Sequence, residues 1–183
     1  NVSKKARGDV NRAKRREIQT KVLETTEEIN DFVNLNEEWA KAKDLTITNP
    51  EKQKEIFWKN HKSGIEKILL AYKESKLIAG LVLGCFNKIV HTNFVISSYD
   101  IETNLGGTLL TWYAVEWAKT NNFEIYDFSG GGVAESLLSY KRKWGGKETQ
   151  YYIFRKIRKH SSYKLYSSVF NIIQKYHFLR TKK

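Results

Sequence analysis

Two segments carry the side chains best suited to chemistry. One is Tyr126-Asp127-Phe128-Ser129-Gly130-Gly131-Gly132, and the other is Tyr140-Lys141-Arg142-Lys143-Trp144-Gly145-Gly146-Lys147. The first reads as a short buried strand running into a glycine-rich loop. A strand that ends this way brings polar groups to a sheet edge, where ligands often bind in α/β folds. Lys141 falls close to that edge, with Lys143 two residues on. Asp127 interrupts the apolar strand. A carboxylate buried there could serve as a base or orient Lys141. Its commoner role is to accept N–H bonds within the loop. Trp144 reads as packing for a basic loop, and Gly145-Gly146 as a tight turn into the next strand.

The elements that must position these groups follow from periodicity. Residues 3 to 16 read as a basic helix with a thin apolar face of Val10 and Ala13. Val22 and Leu23 suggest a short strand. Thr25 with Glu28 forms a capping-box pattern ahead of the stripe Ile29, Phe32, Val33, Asn36 and Trp39. Asn49-Pro50 opens a second helix, which carries Ile56 and Phe57 and ends near Gly64. A meander follows: Ile68 to Tyr72, a turn over residues 73 to 76, Leu77 to Phe86, a turn at Asn87-Lys88, and Ile89 to Ser98. Leu105-Gly106-Gly107 leads into a helix of Leu109, Leu110, Tyr113, Ala114 and Trp117, apolar nearly all round. Glu124 to Phe128 and Gln150 to Ile157 read as strands. Tyr166, Val169, Phe170 and Ile173 mark a last helix.

Composition bounds the function. The 183 residues suffice for one domain with a proper core, and 40% of them are hydrophobic. No apolar run approaches the roughly 20 residues of a membrane span. No secretory signal is visible, so the expected location is the cytoplasm, with the inner face of the membrane as a peripheral site. The single Cys85 sits in an apolar stretch and reads as a reduced core residue. A catalytic thiol is the alternative, but no His or Asp accompanies it. The net charge of +12 implies an anionic partner: nucleic acid, a phosphorylated substrate or an acidic membrane surface. Solubility alone is the plainer reading. The cations concentrate in residues 4 to 21, 141 to 147 and 155 to 164, with Arg180, Lys182 and Lys183 at the end.

A Tyr-Asp-Phe strand, a glycine-bearing loop and an aromatic-Lys-x-Lys-Trp-Gly-Gly segment together resemble the FemABX family of aminoacyl-tRNA-dependent peptidyltransferases. The pattern is also similar to acyltransferase domains of polysaccharide-biosynthesis proteins. Residues 4 to 16 resemble the basic helix that opens the second FemABX domain, and Leu109 to Ala118 the helix before the Tyr-Asp strand. The resemblance implies an α/β fold of the GNAT type, with a mixed, mostly antiparallel sheet flanked by helices. It implies one such domain over residues 1 to 183, as the C-terminal part of a longer two-domain protein. The absence of methionine, even at position 1, fits that expectation.

The resemblance also implies roles. Lys141, after the aromatic Tyr140, would lie near the donor ester and terminal phosphates. There it would stabilise an oxyanion or hold a phosphate as a point charge. A solvent-facing lysine remains the alternative. Arg7 would face substrate phosphates, with neighbouring cations one helical turn away as rivals. Tyr99, Asp100, Tyr126, Ser129, Tyr140 and Lys143 would line the acceptor cleft, and Asp127 would join Lys141 at the reaction centre. Little acid–base help is needed, because the attacking amine can lose its proton to the substrate. The expected partners are aminoacyl-tRNA and a phosphorylated cell-envelope precursor, with no bound cofactor.

Acetyl-CoA is the alternative donor. GNAT enzymes that use it carry Gln/Arg-x-x-Gly-x-Gly/Ala at a turn ahead of a helix, whose N–H groups bind pyrophosphate. Here Thr103-Asn104-Leu105-Gly106-Gly107-Thr108 lacks the Gln/Arg, and Thr108 replaces the last small residue. Gly106 and Gly107 would bind the cofactor only in that reading. A non-catalytic nucleic-acid-binding module is the third reading. His61, His91, His160 and His177 show no metal-ligand spacing, and no nucleophile elbow or P-loop is present.

Overall fold

The computed structural model describes residues 2–45, 49–98, 103–129 and 135–150. The chain divides into two units, Asn1–Lys147 and Glu148–Lys183. All the elements below belong to the first. In order they are α1 (Lys4–Arg15), β1 (Gln19–Val22), α2 (Thr26–Ala42), α3 (Pro50–Ser63), β2 (Glu66–Lys73), β3 (Lys76–Phe86), β4 (Ile89–Ser97), α4 (Thr103–Thr120), β5 (Ile125–Asp127) and α5 (Glu135–Lys143).

The helix ends form for local reasons. Thr25 Oγ1 accepts from the Glu28 N–H at 3.2 Å, and the Glu28 carboxylate accepts from the Thr25 N–H at 3.1 Å. This is the expected reciprocal cap. Asn49 Oδ1 accepts from the N–H groups of Glu51 and Lys52, ahead of Pro50. Gly64 ends α3 with φ at +80°, a region glycine enters without steric penalty.

The five strands lie in sequence order, antiparallel from β1 to β4, with β5 parallel to β4. This matches the mixed, mostly antiparallel sheet expected. Glu74 and Ser75 both have positive φ at the β2–β3 turn, as a tight two-residue hairpin requires. The central strand β3 is buried on both faces, which explains its near-continuous apolar run. Leu81 and Leu83 point to a core shared with Ala6, Val10 and Ala13 of α1 and Leu109, Leu110 and Ala114 of α4. Val82 points the other way, to a core with Ile29, Phe32 and Val33 of α2. Gly80 lets that second core close. A Cβ there would stand 2.6 Å from the Phe32 ring.

Three expectations need correction. Residues 135–143 form helix α5, not a basic loop. Strand β5 spans three residues, not five, and it is not a buried strand: Ile125 is 54% exposed and Asp127 is exposed. Its short pairing reaches only the first three residues of β4. Gly106 and Gly107 lie inside α4, which begins at Thr103, and not in a turn ahead of it. Gly106 sits where a Cβ would meet the Ile78 side chain at 3.0 Å. The glycine there serves close approach of helix to sheet. The strand expected over 150–157 and the helix marked by Tyr166 to Ile173 lie outside the described residues, apart from Gln150, which is in no strand.

Candidate active site

The site arises where two parallel strands part. β4 and β5 pair at Ile89–Ile125, Val90–Tyr126 and His91–Asp127. β5 then ends, while β4 runs on to Ser97. Among the described residues, the edge of β4 beyond His91 has no strand partner on that side. A cleft of about 820 Å³ opens along it. Thr92, Asn93, Val95 and Ser97 of β4 line one wall, with Leu105, Gly107, Thr108 and Thr111 of α4. Phe128 and Ser129 line the other, with Leu137, Tyr140, Lys141 and Lys143 of α5. Asp9 and Arg12 of α1 and Arg16 at its C-cap also reach it.

Helix α5 is fixed from outside. None of its residues is fully buried, so its place depends on specific ties. The Ser3 N–H, at the start of α1, donates to the Lys143 carbonyl at 2.8 Å. Gly145, with φ at +84°, closes the helix, and its N–H donates to the Arg142 carbonyl. Trp144 is buried and meets Tyr140 edge to face. The Thr111 hydroxyl donates its one proton to the Gly107 carbonyl at 2.9 Å. In the 2.9 Å contact between Thr111 Oγ1 and Tyr140 Oη the phenol is therefore the donor. Burial raises the Tyr140 pKa. The phenol stays protonated at neutral pH.

The other wall is pinned through one residue. Asp127 Oδ1 accepts from the Ser129 N–H at 2.8 Å, and Lys141 Nζ donates to the Ser129 carbonyl at 2.8 Å. Ser129 has φ at +68°, a conformation these two bonds hold. Tyr126 lies beneath this wall, its Oη 2.9 Å from Thr92 Oγ1. Burial pushes its pKa up to about 12. Lys143 Nζ sits 4.4 Å from the centre of the Tyr140 ring, a cation–π contact. Among the described residues, four cations, Arg12, Arg16, Lys141 and Lys143, thus line the cleft beside one carboxylate, Asp9.

The structure brings Ser129, Tyr140, Lys141, Lys143 and Gly107 together in this cleft. Tyr126 supports it through Thr92. Asp127 does not line it. The carboxylate is exposed and holds the loop backbone, the commoner of the two roles it was given. Arg7 is exposed on α1 and outside the lining. Gly106 faces the sheet. Tyr99 and Asp100 lie outside the described residues. Sequence reasoning missed Asp9, Arg12 and Arg16, whose i, i+3, i+7 spacing puts them on one helix face, and Thr111. Among the described residues no group of three His, Cys, Asp or Glu side chains could hold a metal, and no helix is long and apolar enough to cross a membrane. Cys85 is half-buried, and burial raises its pKa. That environment disfavours the thiolate a nucleophile needs.

Residues 1–142 match the family model for an acetyltransferase (GNAT) domain. The chain belongs to that family. Solved structures share its fold. A GNAT family acetyltransferase from Staphylococcus aureus subsp. aureus USA300_TCH1516 is 16% identical, with a TM-score of 0.57 over 76% of this chain and 98% of that one. FemX is 12% identical, with a TM-score of 0.66 over 79% of this chain and 54% of that one. Aminoglycoside antibiotic 6'-N-acetyltransferase AAC(6')-IG from Acinetobacter haemolyticus is 15% identical, with a TM-score of 0.59 over 77% of this chain and 99% of that one. No curated protein sequence matches the chain. The GNAT fold and an acyltransferase activity of the GNAT kind follow from the family.

Proposed function

We propose that this GNAT domain transfers an aminoacyl group from aminoacyl-tRNA to an amine on a phosphorylated cell-envelope precursor. The observation that carries the reading is the placement of charge. Arg12 of α1, Arg16 at its C-cap, and Lys141 and Lys143 of α5 reach one cleft, along the part of β4 that β5 does not pair. Cations contributed by two separate helices suit substrates that bring phosphate groups to the cleft. The Tyr-Asp-Phe and Tyr-Lys-x-Lys-Trp-Gly-Gly segments that resemble FemABX proteins form this cleft or its support, and FemX shares the fold.

The chemistry follows from the lining. The acceptor amine attacks the donor ester carbonyl, forming the C–N bond and a tetrahedral oxyanion. Lys141, a fixed cation in a partly buried site, stabilises that charge. Collapse breaks the ester C–O bond, and the departing tRNA 3'-oxygen takes up the proton the amine gives off and leaves as the hydroxyl. The raised pKa values of Tyr126 and Tyr140 suit hydrogen-bond donors and not bases.

Acetyl-CoA-dependent N-acetylation of a glycan precursor is the second reading. It is favoured by one observation: α4 begins at Thr103 beside the cleft, and the first N–H groups of a helix bind anions. Calorimetric titration with acetyl-CoA separates the two. The tRNA-dependent reading expects weak or no binding. A micromolar dissociation constant, about −8 kcal/mol, would sink it.

A further inference from the structure

Among the described residues, Asp9 is the one carboxylate lining the cleft, where the other charged side chains are cations. It is also the only acidic residue of α1. Its side chain is 21% exposed, and its only ion pair among the described residues is a long one, 3.9 Å to Arg12, which is itself 59% exposed. An exposed partner at that distance compensates a half-buried carboxylate poorly. Simple anion binding gains nothing from it, since a negative charge there weakens every phosphate contact nearby.

We propose that Asp9 binds the acceptor's ammonium group, and that the acceptor is a zwitterion with a primary amine and a phosphate in the same molecule. The cations take the phosphate, while Asp9 takes the ammonium and so selects amine over hydroxyl acceptors. The ammonium binds in its stable charged form and gives one proton to solvent water to become the nucleophile; its second proton, given up on attack, goes to the departing tRNA 3'-oxygen. The assignment rests on the acyl-transfer reading only in making that amine the attacking group.

The test compares glucosamine 6-phosphate with glucose 6-phosphate, which differ at one position, amine against hydroxyl. Both are titrated calorimetrically below neutral pH. The wild-type protein should prefer the amino sugar by about fivefold. Asp9→Asn should abolish the preference and bind glucose 6-phosphate at least as well as wild type. Asp9→Glu, which keeps the charge, should retain the preference, and melting curves should show all three proteins folded. A preference that survives in Asp9→Asn overturns the assignment, as does its absence in wild type or failure of both sugars to bind. Absence of acyl transfer alongside a preference that needs Asp9 would overturn the reaction and leave the amine site standing.

Discussion

Replacing Lys141 perturbs the proposed site in two separable ways. Its ammonium donates to the Ser129 carbonyl at 2.8 Å, one of two bonds that pin a residue at positive φ. A hydrogen bond to a charged group contributes about 1.5–3 kcal/mol, and the partly open site argues for the low end. It is also one of four cations in the cleft. Two unit charges about 4 Å apart interact by about 1 kcal/mol in water and about 4 kcal/mol at the effective dielectric of a protein surface. A loss near 1.5 kcal/mol is therefore expected for an anion bound there, roughly tenfold in affinity. Titration with inorganic pyrophosphate should show this for Lys141→Met. Lys143→Met should cost less, because that ammonium already sits over the Tyr140 ring. Lys147→Met should cost nothing measurable, since Lys147 is exposed and outside the cleft. If Lys141 also stabilises the oxyanion, Lys141→Ala should lower turnover by about 10²-fold. If it only holds a phosphate, KM should rise with turnover little changed. Equal, mild losses for all three lysines would refute the reasoning and move the site elsewhere.

Three further outcomes are expected. Gly80→Ala should destabilise the fold by about 1–3 kcal/mol in urea titration, because its Cβ meets the fully buried Phe32 ring; a neutral result would mean that the ring has room to move. His61 is buried, and its Nδ1 accepts the Ile68 N–H at 3.1 Å, so the folded state needs it neutral. Burial, then Lys67, lower its pKa from 6.5. The unfolded chain therefore takes up the proton first, and stability should fall as pH drops below about 6.5, by at most about 1.4 kcal/mol per pH unit. In His61→Gln that component of the pH dependence should vanish. Tyr140→Phe and Thr111→Val should each cost about 1 kcal/mol, and a double-mutant cycle should show that they share one bond, whereas additive losses would contradict that bond.

The parts of this fold legible in the sequence are those that local chemistry decides. Thr25 with Glu28, Asn49 before Pro50 and Gly64 announce helix ends through bonds made within four residues. The meander is equally readable, since a two-residue turn fixes each register. Helix α5 was not legible, because its determinants are distant: Ser3 ties to Lys143, and Thr111 to Tyr140. The same holds for Gly106 and Gly107. Two glycines argue against a helix interior by about 1 kcal/mol each, and close packing of α4 on the sheet overrides them. Lys141, Lys143, Tyr140 and Ser129 line one cleft, and a motif keeps them near one another in sequence. Asp9, Arg12 and Arg16 were missed because their approach to the cleft depends on how α1 packs against α4. Arg7, on the same helix, is exposed and outside the cleft lining.

The central claim is that this cleft transfers an aminoacyl group from tRNA to an amine. One preparation of the protein, offered labelled aminoacyl-tRNA and labelled acetyl-CoA in parallel with an amine-bearing phosphorylated precursor, tests it directly. Label should reach the amine from the tRNA ester, with the rate falling about 10²-fold in Lys141→Ala and little changed in Lys147→Met. Transfer from acetyl-CoA alone, or aminoacyl transfer indifferent to Lys141, would contradict it.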